Sequence, residues 1–219
     1  EACLAQRFKR PTNRSIVPLF SDIETQDLEK QFDDGCIGKI GIGGTKNGVP
    51  YTTDTIRITA DEPEILEKLA KKLGGDPVEW ETNKSDRYEM LIDNDSVDVE
   101  CHEWNAWFER WHERKRVNHC DGKQQFNGDA CECPFSAEEK KEQARQGKAC
   151  KPKFKAKVSF PDKPELGKFR FESGSWNLLK KSNAIEEHIA DGPAPIEIAI
   201  ADFTNKKGQL VRFPKVSTK

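Results

Sequence analysis

Apolar and polar residues change period several times along the chain, and each change marks an element. Residues 1–33 show no sustained period: Arg7, Lys9, Arg10 and Arg14 precede an acidic half running from Asp22 to Asp34. This stretch reads as an N-terminal arm without a core of its own, a candidate for docking on a partner. From Gly35 the pattern changes. GCIGKIGIGG sets Ile37, Ile40 and Ile42 among glycines, and DTIRITA alternates Thr55, Arg57 and Thr59 with Ile56 and Ile58, as a half-buried strand does; Asn47-Gly48 and Pro50 supply turn chemistry between them. DEPEILEKLAKKLGG predicts a helix, with Asp61 as cap, Glu64 closing a capping box, Ile65, Leu66, Leu69, Ala70 and Leu73 on one face, and Gly74 as terminator. Strand-like pieces follow at 78–80, 88–92 and 96–101. EWNAWFERWHERKR then places Trp104, Trp107, Phe108 and Trp111 at i, i+3, i+4 and i+7, which predicts a second amphipathic helix with a densely charged outer face. After a cysteine-rich stretch, KFKAKVSF alternates Phe154, Ala156, Val158 and Phe160 against Lys153, Lys155, Lys157 and Ser159, a strand. A PDKPELG turn leads into KFRFES, a helix is expected over 176–190, and EIAIADF with QLVRFP forms a hairpin across 205–208.

This order of elements implies an α+β fold: small mixed sheets with two or three helices and an inserted four-cysteine zinc-binding module. The expected organisation is an arm at 1–33, an α+β region at 34–118 ending in the tryptophan-rich helix, the cysteine module at 119–151, and a β-rich region at 152–219 with one helix, continuous with the 34–118 core. No internal repeat or low-complexity tract is present.

Composition narrows the function. Against 36 Lys+Arg stand 38 Asp+Glu, a net charge of −2, which excludes a uniformly basic coat for gripping a DNA backbone. No run approaches 18 consecutive apolar residues and the first thirty lack a signal-peptide core, so neither a membrane span nor secretion is expected. Seven cysteines, an odd number, fit a paired extracellular scaffold badly; a reducing compartment with one cysteine-bound metal fits better.

The one chemically specific feature is HCDGKQQFNGDACECP followed by ACKP. Cys120, Cys131, Cys133 and Cys150 are spaced C-x10-C-x-C-x16-C, with turn formers beside them. Four thiolates around a zinc ion leave no position for water, so such a site closes loops instead of activating a nucleophile. A site using His119 or His102 in place of one cysteine, and no metal at all, are the alternatives. Cys3, Cys36 and Cys101 read as free or buried thiols.

Other candidates for chemistry fall away. GKIGIGGTKNG lacks the GK[ST] ending of a phosphate loop and reads as backbone turns at a bulged strand. Asp93, Asp95, Asp98 and Glu100 lack calcium-loop spacing, and the turn at PELG breaks the alignment a nuclease signature would need. No serine or cysteine has a base evident nearby, so no catalytic residue, cofactor site or small-molecule substrate is expected. Lys148, Lys151, Lys153 and Lys155 lie in a locally basic stretch and are candidate auxiliary DNA contacts. Trp104, Trp107 and Trp111 are either core or a protein-docking surface.

The succession LAKKLGGDPVEWE, YEMLIDNDSVDVE, the tryptophan segment, CDG, CECP, ACKP and KAKVSFPDKPELGKFRFESGSWN resembles the recombination directionality factor family of phages that use large serine integrases, typified by the directionality factor of a Streptomyces phage. The resemblance spans about residues 35–214 and is sharpest over 119–176. It implies a non-catalytic protein that binds its cognate integrase, through the coiled-coil or neighbouring zinc-containing region, and redirects it from integration toward excision between hybrid attachment sites. DNA would be met mainly through the integrase, in the cytoplasm of a bacterial host. Carried over by motif, one structural Zn2+ would sit on Cys120, Cys131, Cys133 and Cys150, and Trp176 after Gly174 matches the family's aromatic. The insert between CECP and ACKP is longer and more charged than the common pattern. The competing reading is a zinc-stabilised DNA-binding accessory or regulatory protein without an integrase partner.

Overall fold

The computed structural model describes residues 35–46, 49–80, 86–113, 115–205 and 208–219. The arm expected over 1–33 and the Asn47-Gly48 turn lie outside them. In chain order the elements are β1 (Cys36–Lys46), β2 (Val49–Ala60), α1 (Pro63–Leu73), β3 (Val78–Glu79), β4 (Tyr88–Leu91), β5 (Ser96–His112), β6 (Lys115–Cys120), α2 (Ala137–Arg145), β7 (Lys151–Ser159), β8 (Lys168–Ser173), α3 (Leu179–His188), β9 (Ala194–Thr204) and β10 (Leu210–Thr218). Short 3-10 turns at Pro164–Leu166 and Trp176–Leu178 precede β8 and α3.

The α+β class agrees with expectation, and so do α1 and α3; α2 lies in the cysteine-rich stretch, where no helix was expected, and the strands join one mixed sheet instead of several small ones. Its order is β10-β9-β5-β7-β8-β1-β2-β4-β3, with β6 pairing β5 beside this path. β1 and β8 run parallel, whereas the other pairs are antiparallel. Strict alternation makes β7 a core strand: Phe154, Ala156 and Val158 are buried while the lysines between them face out. Phe169 and Phe171 of β8, Ile196 and Ile198 of β9, and Ile56 and Ile58 of β2 complete the same apolar layer. α1 covers it with Leu66, Leu69 and Leu73, and α3 with Ile185.

β1 and β2 approach so closely that a Cβ on Gly38 would sit 2.0 Å from the Thr59 carbonyl oxygen, and their register slips between Gly41 and Gly43. The glycine run is therefore a bulged strand, as its turns suggested. β2 is covered on both faces, beyond the half-burial read from its alternation: the Arg57 guanidinium lies 4.0 Å from the Trp80 ring centroid and pairs with Glu89, and Thr59 donates to Asp86 at 2.7 Å.

Two expectations are overturned. α1 lacks the Asp61/Glu64 capping box: its N-cap is Glu62, which makes no side-chain cap hydrogen bond. Pro63, preset for a first helical turn, starts the helix one residue later than a cap at Asp61 requires.

The larger correction is that the tryptophan segment is not a helix. It is the outer half of β5, a 17-residue strand about 50 Å long. β7 pairs it from Glu100 to Glu109, β9 flanks its start and β6 its end. A register shift between Cys101 and Glu103 marks a bulge at His102. Beyond it, Trp104 and Phe108 point to one face and Trp107 and Trp111 to the other. Aromatics on both faces of one strand reproduce the i, i+3, i+4, i+7 pattern by coincidence. No helix of the described residues is long and apolar enough to cross a membrane.

Candidate metal centre

β6 ends at Cys120 and β7 begins after Cys150, so the sheet itself brings the first and last of the clustered cysteines to one place. Between them the chain makes short bridges, Cys120 to Gln125 and Gln124 to Ala130. Asp121 shapes this turn by accepting the backbone N–H groups of Lys123 and Gln124 at 2.8 Å each, hydrogen bonds that hold its carboxyl below the usual range. Gly122 (φ 103°) follows in the left-handed region, where a Cβ would meet the Phe108 ring at 3.2 Å. The Cys131 backbone N–H donates to the Lys123 carbonyl at 2.9 Å, returning the chain to Cys120. α2, capped by Ser136 accepting from the Glu139 N–H, then lies across the cluster and presents Ala144 to it.

Cys120, Cys131 and Cys150 converge with their sulfurs all within 4.8 Å of one another, and all three are buried. The Cys120 and Cys131 sulfurs are 3.2 Å apart. Burial pushes the Cys120 thiol up to about 11 and Cys150 also well above its ordinary value. For Cys131 burial likewise works upward, but the backbone N–H of Cys133 and the neighbouring thiols outweigh it and hold the group below its ordinary value. A buried set of soft sulfur donors at this separation fits a thiolate-bound metal such as a divalent zinc-type ion, whose tetrahedral sulfurs lie about 3.8 Å apart.

Of the four cysteines expected from the spacing, three form the mutually close group among the described residues. Cys133 is buried beside it and interacts with the thiols of Cys131 and Cys150. Its sulfur is turned to the Cys150 backbone N–H, which it accepts at 3.1 Å. His119, the alternative ligand, lies on the opposite face of β6 from Cys120, between Trp107 and Phe126. There burial, with Arg116 adding to it, lowers its imidazole to about 4. His102 instead bonds Ser159 at 2.7 Å on the bulge of β5.

The walls of the site come from residues that no cysteine spacing marks. Phe108 of β5 and Trp176 pack on the cluster with ring centroids 6.2 Å apart. The buried Lys140 of α2 donates to the Gly122 carbonyl at 2.9 Å and stands 4.5 Å from the Phe108 ring centroid, so one cation ties the helix to the cysteine turn. The Asn118 amide is directed to the Cys131 sulfur at 3.9 Å. In the sequence Trp176 was marked by the resemblance and Phe108 only as part of the expected tryptophan helix.

The other expected sites are spread over the sheet. Trp104 is core and donates its indole N–H to Ser182 at 2.8 Å; Trp107 is half-buried and Trp111 exposed. Lys148 is exposed and its carbonyl accepts from Arg110 at 3.1 Å. Lys151, Lys153 and Lys155 share the outer face of β7, where Lys153 pairs with Glu172 at 2.6 Å and the next lysine, Lys157, with Glu103 at 3.1 Å. Cys36 and Cys101 are free, and burial raises the Cys101 thiol to about 11; Cys3 lies outside the described residues.

No solved structure matches the chain. The family model described as Gp3-like, recombination directionality factor-like, matches residues 37–207, from β1 through the cysteine cluster into the β9–β10 hairpin. The chain thus belongs to the Gp3-like, recombination directionality factor-like family, whose members are non-catalytic accessory factors.

Proposed function

We propose that this protein binds a cognate large serine integrase and switches it from integration toward excision between the two hybrid attachment sites, acting without covalent chemistry. The family match over residues 37–207 carries this reading. The cysteine lobe supports it: its donors are buried thiols packed by Phe108, Ala144, Ala149 and Trp176, an arrangement for closing a loop and not for exposing a reactive ion. In this reading the ion is one structural Zn2+, held by Cys120, Cys131 and Cys150 with Cys133 turning in as fourth ligand. The Cys150 N–H on Cys133 and the Asn118 amide near Cys131 are the outer hydrogen bonds that thiolate ligands require. Residues 119–151 are then an inserted module on a core built from 34–118 and 152–219, with 1–33 as a separate arm.

The action is a population shift. A protein that binds one integrase arrangement in preference to another moves the balance by the difference in binding energy, and about 5.5 kcal/mol carries it from 1:99 to 99:1. DNA is met mainly through the integrase in the bacterial cytoplasm: the lysine row of β7 is interleaved with Glu103 and Glu172, which favours a protein partner over a phosphate backbone. The test is recombination by the large serine integrase encoded in the same genome, with and without this chain. Joining of the hybrid sites should appear and integration should fall. Unchanged rates for both reactions would refute the proposal.

A further inference from the structure

The hairpin that carries Cys120 has a second face. Phe108 and Arg110 of β5 stand opposite Cys120 and Asn118, whereas Glu109 stands opposite His119 and Trp111 opposite Arg116. Alternation therefore puts Trp107, Glu109, Trp111, Arg116 and His119 together on the side away from the cysteines. Their rings are stepped across the strands: Trp107 to His119 at 5.9 Å and His119 to Phe126 at 4.2 Å between centroids. Trp111 and Phe126 are 46% and 58% exposed, and Val117, left unpaired by the register shift of β6, is 46% exposed. Scattered apolar residues on a surface need no explanation, but Trp107, His119 and Phe126 in ring contact, with Trp111 on the same face of the strand, mark a binding site.

The border of this patch is cationic. Lys153 stands opposite Trp107 and Lys151 opposite Glu109 on β7, and Arg116 opposite Trp111 on β6. The face is three strands wide, β6, β5 and β7, about 10 Å between its outer strands, the diameter of one α-helix with its side chains. Nucleic acid would also offer flat groups to stack, but Glu109 lies within the patch, hydrogen-bonded to the Trp107 indole at 3.1 Å, and Glu172 interrupts the lysine row. Fixed carboxylates at those points oppose a phosphate chain and suit a protein surface.

We infer that this face of the β5–β6 hairpin docks an amphipathic helix of a partner protein, whose apolar stripe seats on Trp107, Trp111 and Phe126 and whose flanking carboxylates meet Arg116, Lys151 and Lys153. The inference rests on the reading of the chain as an integrase-binding factor and assigns the surface that reading leaves open.

The test measures affinity of the full-length chain for the integrase encoded in the same genome, for wild type, the Trp111→Ala/Phe126→Ala double variant, Arg116→Glu, and Phe203→Ala as a control. Phe203 is comparably exposed at 47% but lies beyond the other end of β5. Metal content and thermal midpoint are recorded for each, and Arg116→Glu gives an independent reading of the same face should the double variant fold poorly. The double variant should bind at least about 100-fold more weakly and Arg116→Glu about tenfold, with Phe203→Ala within about threefold of wild type. Wild-type affinity in folded double and Arg116→Glu variants overturns the surface and leaves the function standing. Absence of any wild-type binding, with no effect on recombination, overturns the reading of the chain and this inference with it. Salt-dependent binding of DNA alone that the double variant loses overturns it in favour of a nucleic-acid surface.

Discussion

Replacing Trp104 and Trp111 separately by alanine distinguishes a strand with two faces from a helix with one. Trp104 is 6% exposed, its ring lies 5.8 Å from Phe154 and 6.3 Å from Phe171, and its indole donates to Ser182. Emptying such a site costs about 3–5 kcal/mol, and the lost hydrogen bond adds about 1 kcal/mol. Ser182 keeps its bond to Glu186 at 3.1 Å, so its hydroxyl is not orphaned. In a domain of this size each kcal/mol moves the thermal midpoint by about 2–4 °C, so Trp104→Ala should lower it by about 8–24 °C. Trp111 projects into solvent, and its removal should change stability by less than about 0.5 kcal/mol. Urea titration followed by circular dichroism, with equal m-values as a check, measures both. Losses for the two variants within about 1 kcal/mol of each other would refute the strand assignment, because a single amphipathic face buries both rings alike.

Gly38→Ala should destabilise by about 2–4 kcal/mol in the same titration, since its Cβ would meet backbone at the Thr59 oxygen and the strands must part; a change below about 0.5 kcal/mol would deny the close approach. Lys140→Met keeps the apolar stem over Phe108 but removes the bond to Gly122, and should weaken metal retention against a competing chelator about tenfold while leaving the sheet core intact. Cys101 predicts an alkaline effect. Its folded-state value of about 11 exceeds the reference 9.0, so above pH 9 the unfolded chain loses this proton first and stability falls as pH rises toward 11; Cys101→Ala should flatten that part of the profile, and an unchanged slope would contradict the burial effect.

How much of this was visible in the sequence varies with the physics of each segment. β7 was readable because one face is apolar and the period is 2 throughout, and the β9–β10 hairpin because Ile196, Ile198 and Ile200 alternate along β9 before the turn residues. The face of α1 was readable too, although Pro63 displaced its cap. The tryptophan strand was not, because the bulge at His102 breaks its phase and Trp107 and Trp111 are aromatic on the outer face. The parallel pairing of β1 with β8 joins segments more than a hundred residues apart, and nothing local encodes it. At the cysteine site the spacing brought out Cys120, Cys131 and Cys150 but could not show that Cys133 stands just outside the group. Phe108, Asn118 and Lys140 come from three different elements and acquire their roles only when β5, β6 and α2 assemble.

Metal content and coordination of the purified, reduced chain test most directly the claim that the cysteine lobe is a metal-closed clamp. Elemental analysis with X-ray absorption should find about one zinc per chain with four sulfur neighbours at about 2.3 Å. No bound metal after reducing, chelator-free handling would contradict the clamp outright. Three sulfurs with an exchangeable oxygen would contradict the role given to Cys133 and the closed nature of the site.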